Sequence, residues 1–312
     1  MMGEEAPAAQ DQATGVRTEQ EIASQPACWR RAAGLAREVA GRLPAPGERV
    51  AVVGCGTSWF IAQSYAAARE EAGQGETDAF TASEMPYGRH YDRIVFLSRS
   101  GTTTEIKEAA ERMRGTTRTV ALTTDARTPV GLAVDEVIEL AFADEESVVQ
   151  TRFATTELAL LRAHLGYGIE QAAAAAERAL AEPVPAELLA ARQFTFLGTG
   201  WTYGLANEAA LKLREAVGLW TESYPAMEYR HGPAAVTGPH SVVWLLGPAP
   251  AGLIDDITLA GGLAWATEDD PMADLVRVHR LALAAARARG LDPDRPRNLA
   301  RSVILAPAPD RT

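Results

Sequence analysis

The residues with the clearest chemical potential form a run rich in hydroxyl groups at positions 98–105, which read SRSGTTTE. The run follows an apolar segment typical of a strand and opens a segment typical of a helix. Hydroxyl groups, the free N–H groups of a first helical turn and the positive end of the helix dipole all favour an anion at such a junction. Capping the helix alone needs fewer hydroxyls than the run supplies. The pattern therefore predicts a phosphate-binding loop.

Another loop of this kind, GCGTS at positions 54–58, follows an apolar run at 50–53. Loops that follow neighbouring parallel strands meet at the carboxyl edge of the sheet, where open α/β sheets bind their ligands. A dinucleotide fingerprint G-x-G-x-x-G requires a third glycine, but Trp59 stands at that position here and Tyr203 stands there in a later copy of the pattern. We therefore expect a phosphate ligand at this edge and no nucleotide cofactor.

A third cluster of candidate residues lies in the second half of the chain. Lys212 and Glu215 are three residues apart in a segment with helical periodicity, so they share one helix face, which is also the common spacing of a solvated ion pair. His231 follows in a turn that Gly232 and Pro233 define, although a single histidine is more often structural. Near a phosphate the trio would supply what enolisation needs, namely a carboxylate base and acid–base groups for the oxygens. A catalytic role for the trio is therefore a hypothesis beside the structural interpretation.

Other chemistries find little support in the sequence. No pair of histidines or cysteines has the spacing of metal ligands, and no G-x-S-x-G motif marks a serine hydrolase. The net charge of −11 argues against nucleic acid and anionic membranes as partners. Two cysteines are too few for a disulfide framework, and the N-terminus has no apolar leader. We accordingly expect a cytoplasmic protein with no metal, no cofactor and no membrane partner.

The order of the elements indicates how these residues are positioned. Strand-like and helix-like segments alternate up to about residue 170, a pattern typical of a doubly wound α/β domain. The strand–glycine–helix pattern restarts with QFTFLGTGW, which indicates an internal duplication whose second copy lacks a fifth strand. One long helix is predicted over 155–171, and another over 18–42 with a break near Pro26.

In its motifs the chain resembles the family of double SIS (sugar isomerase) domain proteins, and within it the isomerase half of glucosamine-6-phosphate synthase and related phosphosugar isomerases and deaminases. The matching segments are EIASQP, GCGTSW, SRSGTTTE, VVQTRFATTEL, NEAALKLREA, ESYPAMEYRHGP and PRNLARSV. The resemblance implies an α/β fold of two tandem SIS domains, each a flavodoxin-like parallel sheet flanked by helices, with the second one shortened. The expected units are a disordered tail at 1–17, a first domain at 18–170 and a second domain at 171–312.

The resemblance also implies a role for each matching residue. Those that match the loops holding a sugar 6-phosphate are Thr57, Ser58, Ser98, Arg99, Ser100 and Thr103. Glu215 matches the carboxylate that moves a proton between C1 and C2, and Lys212 matches a helper on the same helix. His231 matches a ring-opening histidine that the neighbouring subunit contributes, so a homodimer with His231 acting across its interface is implied.

One departure from the family bears on the chemistry. Where the family has a lysine that forms a Schiff base with the ketose, this chain has Arg301, a possible substrate contact. A guanidinium stays protonated at neutral pH and is not an amine nucleophile, so iminium chemistry by that route is not expected. The ammonia-supplying glutaminase segment of the synthase has no counterpart among these 312 residues.

Three functions stay open at this point. The first is aldose–ketose isomerisation of an amino-sugar 6-phosphate, with or without loss of ammonia. The second is a lyase reaction in which the same base takes the C2 proton of N-acetylglucosamine 6-phosphate and the C3 substituent leaves, as in the related N-acetylmuramic acid 6-phosphate etherases. The third is a sugar-phosphate sensor without catalysis, which the lack of a helix-turn-helix segment and the retained trio of Lys212, Glu215 and His231 disfavour.

Overall fold

The computed structural model describes residues 14–306 of the chain. Most of the predicted tail at 1–17 lies outside the described residues, and the first helix, α1, covers Val16–Ala23. Over the part of the chain that is described, no helix is both long enough and apolar enough to cross a membrane.

The first half of the chain builds a five-stranded parallel sheet in the order β2-β1-β3-β4-β5, which is the flavodoxin-like order. Its strands are β1 (Val50–Gly54), β2 (Thr77–Thr81), β3 (Arg93–Leu97), β4 (Arg118–Thr123) and β5 (Glu136–Glu139). Alternate residues of β1 face two different core clusters, with Val50 and Val52 in one and Ala51 and Val53 in the other. Burial on both faces explains the unbroken apolar run that the sequence shows there.

Helices cover both faces of this sheet. After α1 they are α2 (Gln25–Leu35), α3 (Thr57–Glu71), α4 (Thr104–Met113), α5 (Pro129–Ala133) and α6 (Arg152–His164). The helix expected over 18–42 is divided between α1 and α2 because the chain turns at Ser24. Pro26 lies in the first turn of α2, where its missing N–H costs no helical hydrogen bond.

The single long helix predicted over 155–171 is wrong. The chain forms α6 and then α7 (Ile169–Ala181), with Gly166 between them at a φ of 91°. That left-handed conformation ends a helix and is readily adopted by glycine. The helical pattern misled because apolar residues continue through the turn.

The second half builds a four-stranded parallel sheet in the order β7-β6-β8-β9. Its strands are β6 (Gln193–Gly198), β7 (Thr221–Pro225), β8 (Ser241–Leu246) and β9 (Leu263–Ala266). The predicted shortening is confirmed for the described residues, since β9 leads to the long helix α11 (Pro271–Ala288) and no fifth strand joins this sheet. The sequence does not predict β7, because TESYP offers no alternation of apolar residues.

The two halves are packed through the helices that follow their first strands. The remaining helices of the second half are α8 (Ala186–Ala190), α9 (Thr202–Val217) and α10 (Leu253–Leu259). Helix α9 crosses α3 so closely that a Cβ on Gly204 would collide with the Phe60 carbonyl and the Ser64 side chain. Nδ2 of Asn207 also donates to Oε1 of Gln63 across the crossing at 2.7 Å. The crossing places the start of α3 beside the second half of α9.

Candidate active site

Two loops at the carboxyl edge of the first sheet form one side of the site. Strands β1 and β3 are hydrogen-bonded neighbours, so the loops that follow them leave the sheet side by side. Thr57 and Ser58 form the start of α3 after Gly56, which has a φ of 55°, and both side chains are buried. The structure therefore brings together the two segments that the sequence predicts as phosphate loops.

The second loop, which joins β3 to α4 at residues 98–103, is held in a tight turn by its own hydroxyls. The amide of Gly101 donates to Ser98 Oγ at 3.2 Å, and the amide of Thr102 donates to Ser100 Oγ at 3.2 Å. Gly101 has a φ of 60°, and a Cβ there would collide with the Thr128 side chain, so glycine is required. Ser98 is buried in this turn, whereas Ser100 and, one residue before α4, Thr103 are half-buried.

Lys212 joins the second half of the chain to the first of these loops. Its buried ammonium Nζ lies 3.0 Å from Thr57 Oγ1 and 2.6 Å from Glu215 Oε2. The Glu215 side chain is 20% exposed and lines a cavity of about 470 Å³ between the end of α9 and residues 290–298. The pair predicted from the sequence is therefore a buried contact with the loop, and its carboxylate stays open to a ligand.

A carboxyl group that the sequence pattern alone does not single out completes this cluster. Glu208 lies one helical turn before Lys212, is buried, and has its Oε1 3.2 Å from the Lys212 ammonium. Burial raises the pKa of Glu208 to about 7, although the Lys212 ammonium opposes the shift. Burial disfavours the Lys212 charge as well, but Glu208 and Glu215 outweigh burial and raise the pKa of Lys212. The only sequence signal for Glu208 is its i,i+4 spacing to Lys212, which solvated helices also show.

His231 lies outside this cluster. It ends a short 3-10 helix (Glu228–His231) after β7, and its side chain is exposed. Gly232, at a φ of 132°, provides the sharp turn that the sequence predicts there. Among residues 14–306, the hydrogen bonds of Lys212 and Glu215 go to Thr57 and to each other, and none reaches His231.

Arg99 is buried, and its guanidinium donates hydrogen bonds to the backbone of two distant segments. Its Nη1 donates to the carbonyl of Ser147 at 3.0 Å, and its Nη2 donates to the carbonyl of Arg301 at 2.9 Å. The segment around Ser147 is fixed from its other side by the buried carboxylate of Glu21, whose Oε1 accepts from the amides of Glu146 at 2.6 Å and Ser147 at 3.2 Å. Arg99 thus ties the second loop to two other segments, and its contact with a phosphate stays a prediction.

The C-terminal segment crosses the second loop. Nη2 of Arg301 is 2.5 Å from Asp144 Oδ1, and its Nε donates to the Glu145 carbonyl at 3.2 Å. The next residue, Ser302, accepts hydrogen bonds from Ser100 and Thr102 in the loop. The guanidinium of Arg301 is therefore engaged by the first half of the chain, and its contact with a substrate stays a prediction.

Comparison with curated proteins finds glutamine–fructose-6-phosphate aminotransferases among the relatives. The glutamine–fructose-6-phosphate aminotransferase (isomerizing) of Gloeobacter violaceus is 29% identical over 320 residues, which cover 83% of this chain and 52% of the relative. The protein of the same name from Acidithiobacillus ferridurans is 30% identical over 267 residues, which cover 68% of this chain and 44% of the relative. The chain thus spans about half the length of the curated relatives it matches.

Solved structures share the fold. A glucosamine-6-phosphate deaminase from Thermotoga maritima superposes with a TM-score of 0.76 at 21% identity, covering 93% of this chain and 100% of that one. A tagatose-6-phosphate ketose/aldose isomerase from Escherichia coli superposes with a TM-score of 0.77 at 19% identity, covering 97% and 99%. The SIS domain family matches residues 45–165 only, so the comparisons support one SIS domain where the sequence predicted two. Residues 45–165 of this chain therefore match the SIS domain family, within an α/β fold that these two solved structures share.

Proposed function

We propose that the chain is a phosphosugar enzyme that transfers a proton between C1 and C2 of an amino-sugar 6-phosphate, as an aldose–ketose isomerase with or without loss of ammonia. The observation that carries the proposal is the buried Lys212 ammonium, 3.0 Å from the loop hydroxyl of Thr57 and 2.6 Å from the Glu215 carboxylate. A general base is thereby held beside a loop suited to phosphate. The isomerizing relatives and the deaminase and isomerase that share the fold support the same class of reaction.

In this proposal the two loops hold the 6-phosphate and Glu215 faces C2 of the open-chain sugar. Glu215 takes the C2 proton, the electron pair forms the C1–C2 double bond, and the C1 oxygen gains a proton. The ammonium of Lys212 stabilises the charge that develops on the oxygens, and Glu208 is a proton donor and acceptor next to it. Return of the proton to C1 gives a ketose where C2 carries a hydroxyl group, and where C2 carries a free amino group it gives a C2 imine that water hydrolyses to ketose and ammonia.

The ring-opening step is assigned to His231 of a second copy of the chain. His231 is exposed and lies apart from the Lys212 cluster, which suits a residue that serves a neighbouring subunit. A symmetric dimer would place the same residue at both sites. The homodimer is therefore part of this proposal.

A lyase is the second candidate, and the placement of Arg301 favours it. A Schiff base requires a free amine at this position, but the chain has the guanidinium of Arg301, which is paired with Asp144. Elimination needs no such amine. The base takes the C2 proton, the electron pair forms the C2–C3 double bond, and the C3 substituent leaves with the C–O pair and a proton. An N-acetylated sugar suits this route, because its nitrogen does not leave as ammonia.

Proton NMR in deuterated water, with glucosamine 6-phosphate and separately with N-acetylglucosamine 6-phosphate, tests these candidates. The expected result is a ketose 6-phosphate that carries deuterium at C1, with deuterium exchange at C2 of the remaining aldose, and Glu215→Gln is expected to abolish both. Glu187→Gln is a matched control, because Glu187 is exposed on α8. An unsaturated product from the acetylated sugar would favour the lyase. Saturable binding without exchange or product from either sugar would contradict catalysis and favour a sensor.

A further inference from the structure

The hydroxyl of Ser302, from the C-terminal segment, contacts the second loop at a position that suits an anion. Its Oγ accepts hydrogen bonds from the hydroxyls of Ser100 at 3.1 Å and Thr102 at 2.9 Å, and it lies 3.5 Å from Thr103 Oγ1. The loop leads into α4, whose dipole and first-turn amides favour negative charge there. An oxygen that accepts two hydroxyl donors at such a place has the surroundings of a phosphate oxygen.

The backbone of the residues that follow Ser302 is hydrogen-bonded to the end of the same loop. The amide of Thr104, in the first turn of α4, donates to the Val303 carbonyl at 3.2 Å. Oγ1 of Thr104 in turn accepts from the Leu305 amide at 2.9 Å. Donors that an incoming phosphate would use are therefore already bonded to the protein's own chain.

The segment is anchored outside the loop by contacts of Arg301. Its guanidinium pairs with Asp144 at 2.5 Å, and its carbonyl accepts from Arg99 Nη2 at 2.9 Å. The side chains of Arg301 and Asp144 are 43% and 45% exposed, so the ion pair is weak and opens without leaving a buried charge. This anchor therefore holds the segment on the loop in a reversible way.

We infer that residues 301–305, here called the strap, compete with phosphate for the second loop, so that Ser302 and Arg301 set the affinity of the site. The inference rests on the proposed function of that loop as a phosphate site. A ligand that binds only the strap-free form has its apparent Kd raised by the reciprocal of the strap-free fraction. A strap docked nine-tenths of the time would weaken phosphate binding about tenfold.

Calorimetric titration with inorganic phosphate and with glucosamine 6-phosphate tests the inference on the wild type, Ser302→Ala, Arg301→Ala and a chain that ends at Ala300. The truncated chain is expected to bind about tenfold more tightly, and the two substitutions should give smaller gains in the same direction. Ile304→Ala is the matched control, because the Ile304 side chain is 71% exposed and the strap keeps its hydroxyl. Hydrogen exchange at the Leu305 amide should become faster when phosphate saturates the wild type.

The outcomes separate this inference from the proposed function beneath it. Equal affinity in all variants would overturn the competition and leave the phosphate site standing. Weaker binding by Ser302→Ala, rescued by Ser302→Thr, would overturn it too and make Ser302 a ligand of the phosphate. Absence of binding of both ligands to every folded variant, the truncated chain included, would overturn both the strap and the loop's proposed role.

Discussion

One buried positive charge organises the candidate site at the scale of single residues. The Lys212 ammonium has oxygen neighbours from Thr57, Glu208 and Glu215 within 3.2 Å. Of the two carboxyl groups, Glu208 is fully buried and burial raises its pKa, while Glu215 is partly open to the cavity. Environments that differ in this way divide two carboxyl groups into an acid and a base.

The raised pKa of Glu208 predicts a pH dependence of stability. The carboxyl has an ordinary pKa of 4.5 and a folded pKa of about 7, so the folded chain retains a proton that the unfolded chain releases between these values. The free energy of unfolding is therefore expected to fall as the pH rises from 4.5 to 7 and to level off above that, by at most about 3 kcal/mol from this residue. Urea denaturation across that range should show a smaller fall for Glu208→Gln, and an equal fall in both proteins would contradict the assignment.

Removing the central charge tests the cluster more directly. Lys212→Met leaves two carboxyl groups without their counter-charge, so it should lower the free energy of unfolding by about 3–5 kcal/mol. Adding Glu208→Gln should recover part of that loss, because one buried acid is then gone. A double-mutant cycle measured by urea denaturation gives the coupling. Strictly additive effects would show that Glu208 and Lys212 do not interact.

At the scale of elements, the close crossing of α3 and α9 determines whether the site forms. The first turn of α3 carries Thr57 and α9 carries Lys212, so any change in their separation alters the 3.0 Å contact between them. Gly204 permits the crossing because it has no side chain where the two backbones meet. The glycine therefore contributes to the site although it touches none of its charged groups.

Substitution of Gly204 tests whether the close crossing of α3 and α9 is needed for both stability and activity. Gly204→Ala should cost about 1–3 kcal/mol, because the new Cβ meets the backbone carbonyl of Phe60. Gly34→Ala is the matched control, since Gly34 is exposed in α2 with open space at its Cβ, and it should stabilise by about 0.5–1 kcal/mol. Thermal unfolding measures both changes, and turnover of the sugar phosphate should fall only with Gly204→Ala. A stabilised Gly204→Ala protein would contradict the close packing.

The elements also show what the sequence could and could not predict. Apolar runs such as 50–53 predict buried parallel strands, because burial on both faces leaves no polar positions. Strand β7 escaped prediction because its pairing with β6 is a tertiary contact that TESYP does not encode by periodicity. Glu208 escaped for a similar reason. Its spacing to Lys212 suits a solvated pair equally well, and only the packing of α9 against α3 buries it.

At the scale of the whole molecule, the two halves contribute different parts of one site. The first half supplies the hydroxyl loops, and the second supplies Lys212 and Glu215 from α9. The sequence predicts an internal duplication, but the pairing of one half's loop with the other half's helix depends on how the halves pack. His231 is exposed on the second half, and among the proposed acid–base groups it lies outside the Lys212 cluster.

The proposed role of His231 in a second copy gives a prediction that depends on assembly. His231→Ala and Glu215→Gln are each expected to be inactive alone. Mixed after unfolding and refolding together, they should form some dimers in which one site has Glu215 from one copy and His231 from the other. Random pairing makes half of the dimers mixed, with one intact site of two, so about a quarter of wild-type turnover should return. If His231 acted within its own chain, every site would lack one of the two residues and the mixture would stay inactive.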